Sequence, residues 1–221
     1  MITLPKSTEF NRRIPKQKFY DNLIVTNEMK RIFIDQINSI QWRNKISPTT
    51  VNVAEGVVVV ELEIIEIRLN QPTLDKRVLQ LIDKQIPYHI LFLLVFEEKT
   101  QAWIGYKEQS QSQSKASVFR AGTYYHTEWQ PINEVALRLD GLNMDAVYEG
   151  FICQVAGERL ASSPSGDLKY AVIRDERRQK LLREIALQEN KVRLEKQFNV
   201  QVVLNGEMRR LKKELEDIEN G

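Results

Sequence analysis

From Asp167 to Glu219 the chain has no proline and a single glycine, Gly206. The stretch is dense in Arg, Lys, Glu, Gln and Leu, all good helix formers. It ends in a row of apolar residues, Leu204, Met208, Leu211, Leu215 and Ile218, spaced alternately four and three apart. That spacing offers one narrow stripe to another helix. A stripe of this kind cannot bury itself, so Leu204, Met208, Leu211, Leu215 and Ile218 are the candidate surface for a helical partner. One straight helix over the tract would reach roughly 75–80 Å at ~1.5 Å per residue. A bend or break is expected over 199–206, where Val200, Val202 and Val203 leave the heptad register and Gly206 costs about 1 kcal/mol.

Charge narrows the field less than it first promises. The tract from Asp167 carries 13 Lys/Arg against 11 Asp/Glu, and the 166 residues before it carry 19 of each. The overall field therefore selects no partner. Two local patches do stand out. Lys6, Arg12, Arg13, Lys16 and Lys18 face only Glu9 in the first twenty residues. Arg174, Arg177, Arg178, Lys180 and Arg183 face Asp175 and Glu176. Arg12, Arg13, Lys16 and Lys18, with Arg174, Arg177, Arg178, Lys180 and Arg183, are the candidate phosphate contacts. Solvated charged faces give the same pattern.

Between the patches the sequence predicts an α+β domain. Residues 1–22 read as a basic arm interrupted by Pro5 and Pro15. A helix is expected over 27–40, capped by Thr26 or Asn27. A strand follows from Trp42 to Ile46, then a short one at Val51–Val53, and a long one over Val57–Leu69. A helix over Leu74–Gln85 stops at Pro87. Tyr88–Phe96 is the most apolar run and reads as a central strand buried on both faces. Gln101–Lys107 returns beside it. The Gln-Ser run at 109–114 reads as a loop. Strands are expected over 118–129 and 135–139, and a helix over 143–158. The organisation expected is thus a mixed sheet covered by helices over 1–160, a linker at 161–166, and a coiled-coil-like helical tail over 167–221.

Chemical motifs are sparse. His89 and His126 have no neighbour at metal-ligand spacing. No glycine-rich phosphate loop and no glycine-framed serine occurs. The lone Cys153 sits in an apolar helical stretch and is expected to be buried. Glu97-Glu98-Lys99, with Asp83 or Asp75 upstream, fits the carboxylate-and-lysine pattern of a divalent-metal nuclease, but it lies where a hairpin must turn. Glu61 and Glu63 share a strand face and could share a metal, or mark a half-exposed edge. Trp103, Tyr106, Tyr124, Tyr125 and Trp129 could stack single-stranded bases, or pair across strands in a core. No catalytic residue, metal ligand or cofactor is assigned. The N-terminus has no signal-peptide apolar run, and Ile90–Phe96 is too short to span a bilayer. The expected location is cytoplasmic.

Several segments together resemble a known group of proteins. They are Leu4-Pro5-Lys6-Ser7-Thr8-Glu9-Phe10-Asn11 with Ile14-Pro15-Lys16, Leu81 through Phe92, Gln101 through Lys107, Tyr124-Tyr125-His126-Thr127, and Glu195-Lys196-Gln197-Phe198-Asn199. The chain resembles, over nearly its whole length, a bacterial domain-of-unknown-function family of similar-sized proteins. Genes of that family often lie beside restriction–modification or helicase genes in defence loci. The resemblance supplies no catalytic residues. Taken with the unburied heptad stripe, it points to a non-enzymatic accessory subunit of a DNA-acting complex, docking on a helicase or methyltransferase or self-associating through the C-terminal helices. A metal-dependent nuclease and a nucleic-acid-binding module are the competing readings.

Overall fold

The structure is a computed structural model and describes residues 4–21, 25–109, 119–132, 134–161 and 167–220. In chain order the elements are β1 (Glu9–Ile14), α1 (Gln17–Asp21), α2 (Asn27–Gln36), β2 (Ile37–Ile46), α3 (Pro48–Val51), β3 (Leu62–Leu69), α4 (Lys76–Gln85), β4 (His89–Phe96), β5 (Lys99–Gln109), β6 (Phe119–His126), β7 (Gln130–Pro131), α5 (Met144–Ala156), α6 (Glu158–Ala161), α7 (Leu168–Leu194) and α8 (Phe198–Asn220). They form two compact units, Met1–Gly157 and Glu158–Gly221. The fold is α+β, with long C-terminal helices. No helix among the described residues is long and apolar enough to cross a membrane.

The first unit is built on a mixed sheet of seven strands among the described residues. Its order is β1-β2-β3-β4-β5-β6, with β7 beside β5. Only β3 and β4 run parallel, and α4 connects them. Both strands are buried almost throughout; β4 is apolar after His89, whereas β3 carries Glu63 and Glu66 among its buried residues. Ile65, Ile67 and Leu69 alternate with Ile90, Phe92 and Leu94 onto one face, beneath Phe33 of α2 and Val78, Leu79 and Ile82 of α4. On the other face α5 lies against β5 and β6.

Several boundaries differ from expectation, each for a nonlocal reason. The helix expected over 27–40 ends at Gln36, because Asn70 caps its last carbonyls: its backbone N–H meets Gln36 O at 2.9 Å and its side chain meets Asp35 O at 3.0 Å. Ile37 and Ile40, placed on the helix by periodicity, open β2 instead. Val51–Val53 is no strand. Ser47 and Thr50 form a reciprocal capping box for α3, and Asn52 ends it in the left-handed region at φ 53°. The strand expected from Val57 begins only at Leu62. The amides of Val57, Val58 and Val59 all donate to the Asp145 carboxylate, at 2.6, 3.1 and 2.7 Å.

Val135 and Leu137 are buried, yet their segment is not in the sheet. It is held by Gln154, which bridges the N–H and C=O of Arg138 at 2.8 and 2.9 Å. Cys153 is exposed rather than buried, because α5 turns Ile152 and Val155 inward. Arg159 and Leu160, expected at the edge of a linker, lie in α6. Residues 162–166 of the linker and 110–114 of the Gln-Ser run lie outside the described residues.

The second unit is dominated by α7 and α8, which pair as an antiparallel hairpin. Arg174 Nε donates to Ile218 O at 3.0 Å, Arg177 meets Glu214 at 2.7 Å, and Gln188 Nε2 donates to Glu207 at 2.7 Å. The break falls at Glu195–Gln197, upstream of 199–206. The Glu195 carboxylate accepts the amides of Lys196 and Gln197, both at 2.8 Å, and Gln201 returns to Glu195 O at 2.6 Å. Gly206 sits inside α8, and a Cβ there would meet open space.

Candidate functional site

The carboxylates and lysine weighed as a nuclease centre scatter. Glu97 and Glu98 form the exposed turn of the β4–β5 hairpin, with Glu97 in the left-handed region at φ 52°. Asp75 caps α4 and pairs with Arg77 at 2.7 Å. Asp83 does not approach Lys99; it is buried against Lys107 at 2.8 Å, both side chains 3% exposed. Tyr124 donates a short bond to the same carboxylate, and Lys107 donates to Tyr88 O at 2.6 Å. Burial pushes the Asp83 carboxyl up against the opposing pull of Lys107 and Tyr124. Among the described residues no group of three or more His, Cys, Asp or Glu could hold a metal ion.

Glu61 and Glu63 belong to a different arrangement. Glu61 pairs with Lys45 at 2.7 Å, and Glu63 accepts the Trp42 indole N–H at 2.5 Å. Burial, and then the adjacent Glu61, push the Glu63 carboxyl up to about 9, so it is protonated at neutral pH. Lys45 thus lies beside the carboxyl that neighbours Glu63.

The five aromatic residues considered as a platform are divided between faces. Tyr124 and Tyr125 are buried. Trp103 stacks on His126 across the strands with ring centroids 4.4 Å apart, and donates to Gln101 at 2.8 Å. His89 packs edge-on against Tyr148 at 4.3 Å; burial and then Lys107 hold its pKa down at about 3, so it is neutral. These are core and cross-strand pairs.

The N-terminal arm is where candidate residues converge. It is ordered as β1, the edge strand of the sheet, with Arg12 opposite Trp42, Arg13 opposite Gln41 and Ile14 opposite Ile40. Pro15 then starts the turn into α1, where Lys18 N donates to Pro15 O at 3.1 Å and Phe19 N to Lys16 O at 3.0 Å. Lys16 itself is tied to Ile37 O at 2.7 Å. Arg12, Arg13 and Lys18 remain on the rim of a groove of about 370 Å³ that runs from β1 to the C-terminal end of α4. Phe10 and Trp42 form its aromatic wall, with rings 4.7 Å apart, and buried Phe19 lies at its base. The Arg12 guanidinium lies 4.5 Å over the Phe10 ring. Among the described residues no carboxylate lines the groove. Sequence reasoning found the cations but not the wall. Only the pairing of β1 with β2 brings Phe10 to Trp42.

The second basic patch is occupied by its own hairpin. Arg174 bonds Ile218 O, Arg177 pairs with Glu214, and Arg178 pairs with Glu219 at 2.9 Å. Lys180 faces Glu184 at 3.9 Å, and Arg183 donates to Gln179 O at 3.2 Å. The heptad stripe has likewise found an internal partner: Leu204, Met208, Leu211, Leu215 and Ile218 are each half-buried on the hairpin. The facing seam on α7 runs Ala171, Arg174, Arg178, Leu181, Ile185, Gln188. Its spacing is heptad, but three of its six positions are polar, and that hid it from an apolar pattern search. What the hairpin leaves outward is a second apolar set close to its turn. Leu187, Leu194, Phe198, Val202 and Val203 are all more than half exposed.

Comparison with curated proteins and with solved structures returns no match. A family profile covers residues 2–215, so this chain belongs to the family described as a domain of unknown function, DUF4391.

Proposed function

We propose that the chain is a non-enzymatic interaction subunit of a DNA-acting assembly, and that it docks a protein partner through the turn end of the α7–α8 hairpin. The observation that carries this reading is the set of exposed apolar side chains there: Leu194 and Phe198 are 75% and 74% exposed on either side of the turn. Val202 lies one helical turn after Phe198, and Leu187 two turns before Leu194, so the set lies within two turns of the tip. Large apolar residues gathered in this way mark interaction sites on soluble proteins. The DNA-acting class of partner, a helicase or methyltransferase, rests on the family resemblance.

The heptad residues take a different part from the one first expected. They hold the hairpin together, and the partner would meet the tip. Affinity capture from the native host tests this. The wild-type chain should retain a helicase or methyltransferase that a folded Phe198→Asp/Val202→Asp variant loses. Equal capture by both chains, with unchanged circular dichroism, would sink the docking site.

A second reading has its own observation. The groove beside β1 carries three cations and, among the described residues, no carboxylate on its lining, which favours contact with nucleic-acid phosphates. It predicts binding that weakens steeply with salt.

A further inference from the structure

The groove between β1 and α4 combines features that a charged arm alone would lack. Arg12, Arg13 and Lys18 are exposed on its rim, while Phe10 and Trp42 are half-buried in its wall. Trp42, Phe10 and Arg12 form a short column: the two rings meet at a tilt of 55° with centroids 4.7 Å apart, and the guanidinium lies 4.5 Å over Phe10. The column is anchored at its base, where the Trp42 indole N–H is bound to Glu63. At its outer end lies a planar cation, and guanidinium planes stack nucleobases as aromatic rings do. The volume, about 370 Å³, is in the range of small-ligand clefts, ~300–1,000 Å³. Duplex nucleic acid keeps its bases stacked inside and would offer the rim only phosphates. A single strand can turn one base out into such a cleft.

We infer that this groove binds single-stranded nucleic acid, taking one unstacked base against the Arg12–Phe10–Trp42 column while Arg13 and Lys18 meet the flanking phosphates. This rests on the nucleic-acid reading above and adds to it the strand state and the site. The surroundings suit an anion. Glu63, the carboxyl joined to the column, is protonated at neutral pH, and Glu61 beyond it is paired with Lys45. Gln85, on the opposite side of the groove, is fixed by donating to Phe19 O at 2.8 Å, so that wall offers a settled polar edge.

The test is fluorescence anisotropy of the full chain with a labelled oligodeoxythymidine and with a duplex of equal length, across a salt series. The single strand should bind more tightly than the duplex, with a slope of log K against log salt of about −1.4, the value for the two phosphates met by Arg13 and Lys18 at ~0.7 each. Arg12→Ala/Arg13→Ala should lower that slope and weaken binding by roughly tenfold or more at low salt. Phe10→Leu should weaken single-strand binding by about fivefold or more, within the range of one lost stack, and leave the slope unchanged. Both positions are on the surface or half-buried, and unchanged thermal melting confirms the fold. Single-strand binding that survives Arg12→Ala/Arg13→Ala overturns the groove and, with it, the phosphate reading. Equal binding of the duplex, or no effect of Phe10→Leu, overturns the base site and leaves the phosphate reading standing. Absence of binding at low salt overturns both. Equal displacement by a polyglutamate peptide shows polyanion capture without a base, and also overturns the proposal.

Discussion

Two segments of this chain are almost interchangeable as strings of letters. Residues 12–18 hold Arg12, Arg13, Lys16 and Lys18; residues 174–183 hold five cations among two acids. In the folded protein they differ sharply. The first lies along an edge strand whose cross-strand partner is Trp42, and three of its cations surround a groove with no carboxylate among its described lining residues. The second lies on a helix whose antiparallel neighbour delivers Glu214, Glu219 and the C-terminal carbonyls of α8 to the same arginines. A run of positive charge is therefore not yet a surface for an anion. What counts is the charge that folding brings opposite to it. A sheet edge has a free side, whereas the seam of a helical hairpin has none.

The contrast can be broken most forcefully at the seam. Leu211→Asp places a charge on the half-buried stripe and should cost about 2 kcal/mol, from lost apolar contact and poor solvation of the carboxylate. Thermal melting followed at 222 nm should show an early loss of helix. The same variant should gain salt-sensitive polyanion binding as Arg174, Arg177 and Arg178 lose their partners. A melt like that of the wild type would mean that the stripe does not hold α8 on α7.

A pH-dependent effect separates the groove side. Glu63 has a folded pKa near 9, above the ordinary carboxyl value of 4.5. Between those values the unfolded chain has released its proton and the folded chain has not. Stability therefore falls as pH rises across that window and levels off above it. Glu63→Gln removes this dependence, so the melting temperatures of variant and wild type should diverge in the variant's favour from about pH 5 to 9. Parallel curves would place the proton elsewhere.

The smallest effect is expected on the hairpin surface. Arg177→Ala breaks a pair whose side chains are 62% and 40% exposed, and such pairs contribute about 0–1 kcal/mol. Chemical denaturation should show a change within about 0.5 kcal/mol, shrinking with salt. A larger loss would mean that the Arg177–Glu214 pair is part of what orders the two helices.

Much of the fold was legible in the residues. Thr26 as the cap of α2, Pro87 as the stop of α4, Tyr88–Phe96 as the buried central strand, and the helical character of the C-terminal tract all follow from caps, breakers and periodicity. The misses share a cause. Ile37 and Ile40 satisfy a helical period and a strand equally well until Asn70 caps α2 from far along the chain. Val57–Val59 look like a strand until Asp145 takes their amides. At the candidate site, Arg12 and Arg13 were visible as charge, but Phe10 and Trp42 were not visible as their wall, since 32 residues separate them in sequence.

The sequence by itself determined that α2, α4, α5 and the C-terminal tract are helical, that Tyr88–Phe96 holds a buried strand, and that the distal helix carries an apolar stripe needing cover. These depend on contacts within about one or two turns of the chain. Only the tertiary structure decided that the stripe is covered by the chain's own α7, that the second basic patch is matched by acids and carbonyls of α8, and that the first one lines a groove. The physical reason is that charge neutralisation and burial depend on which residues the backbone brings together from a distance, and local pattern carries no record of that.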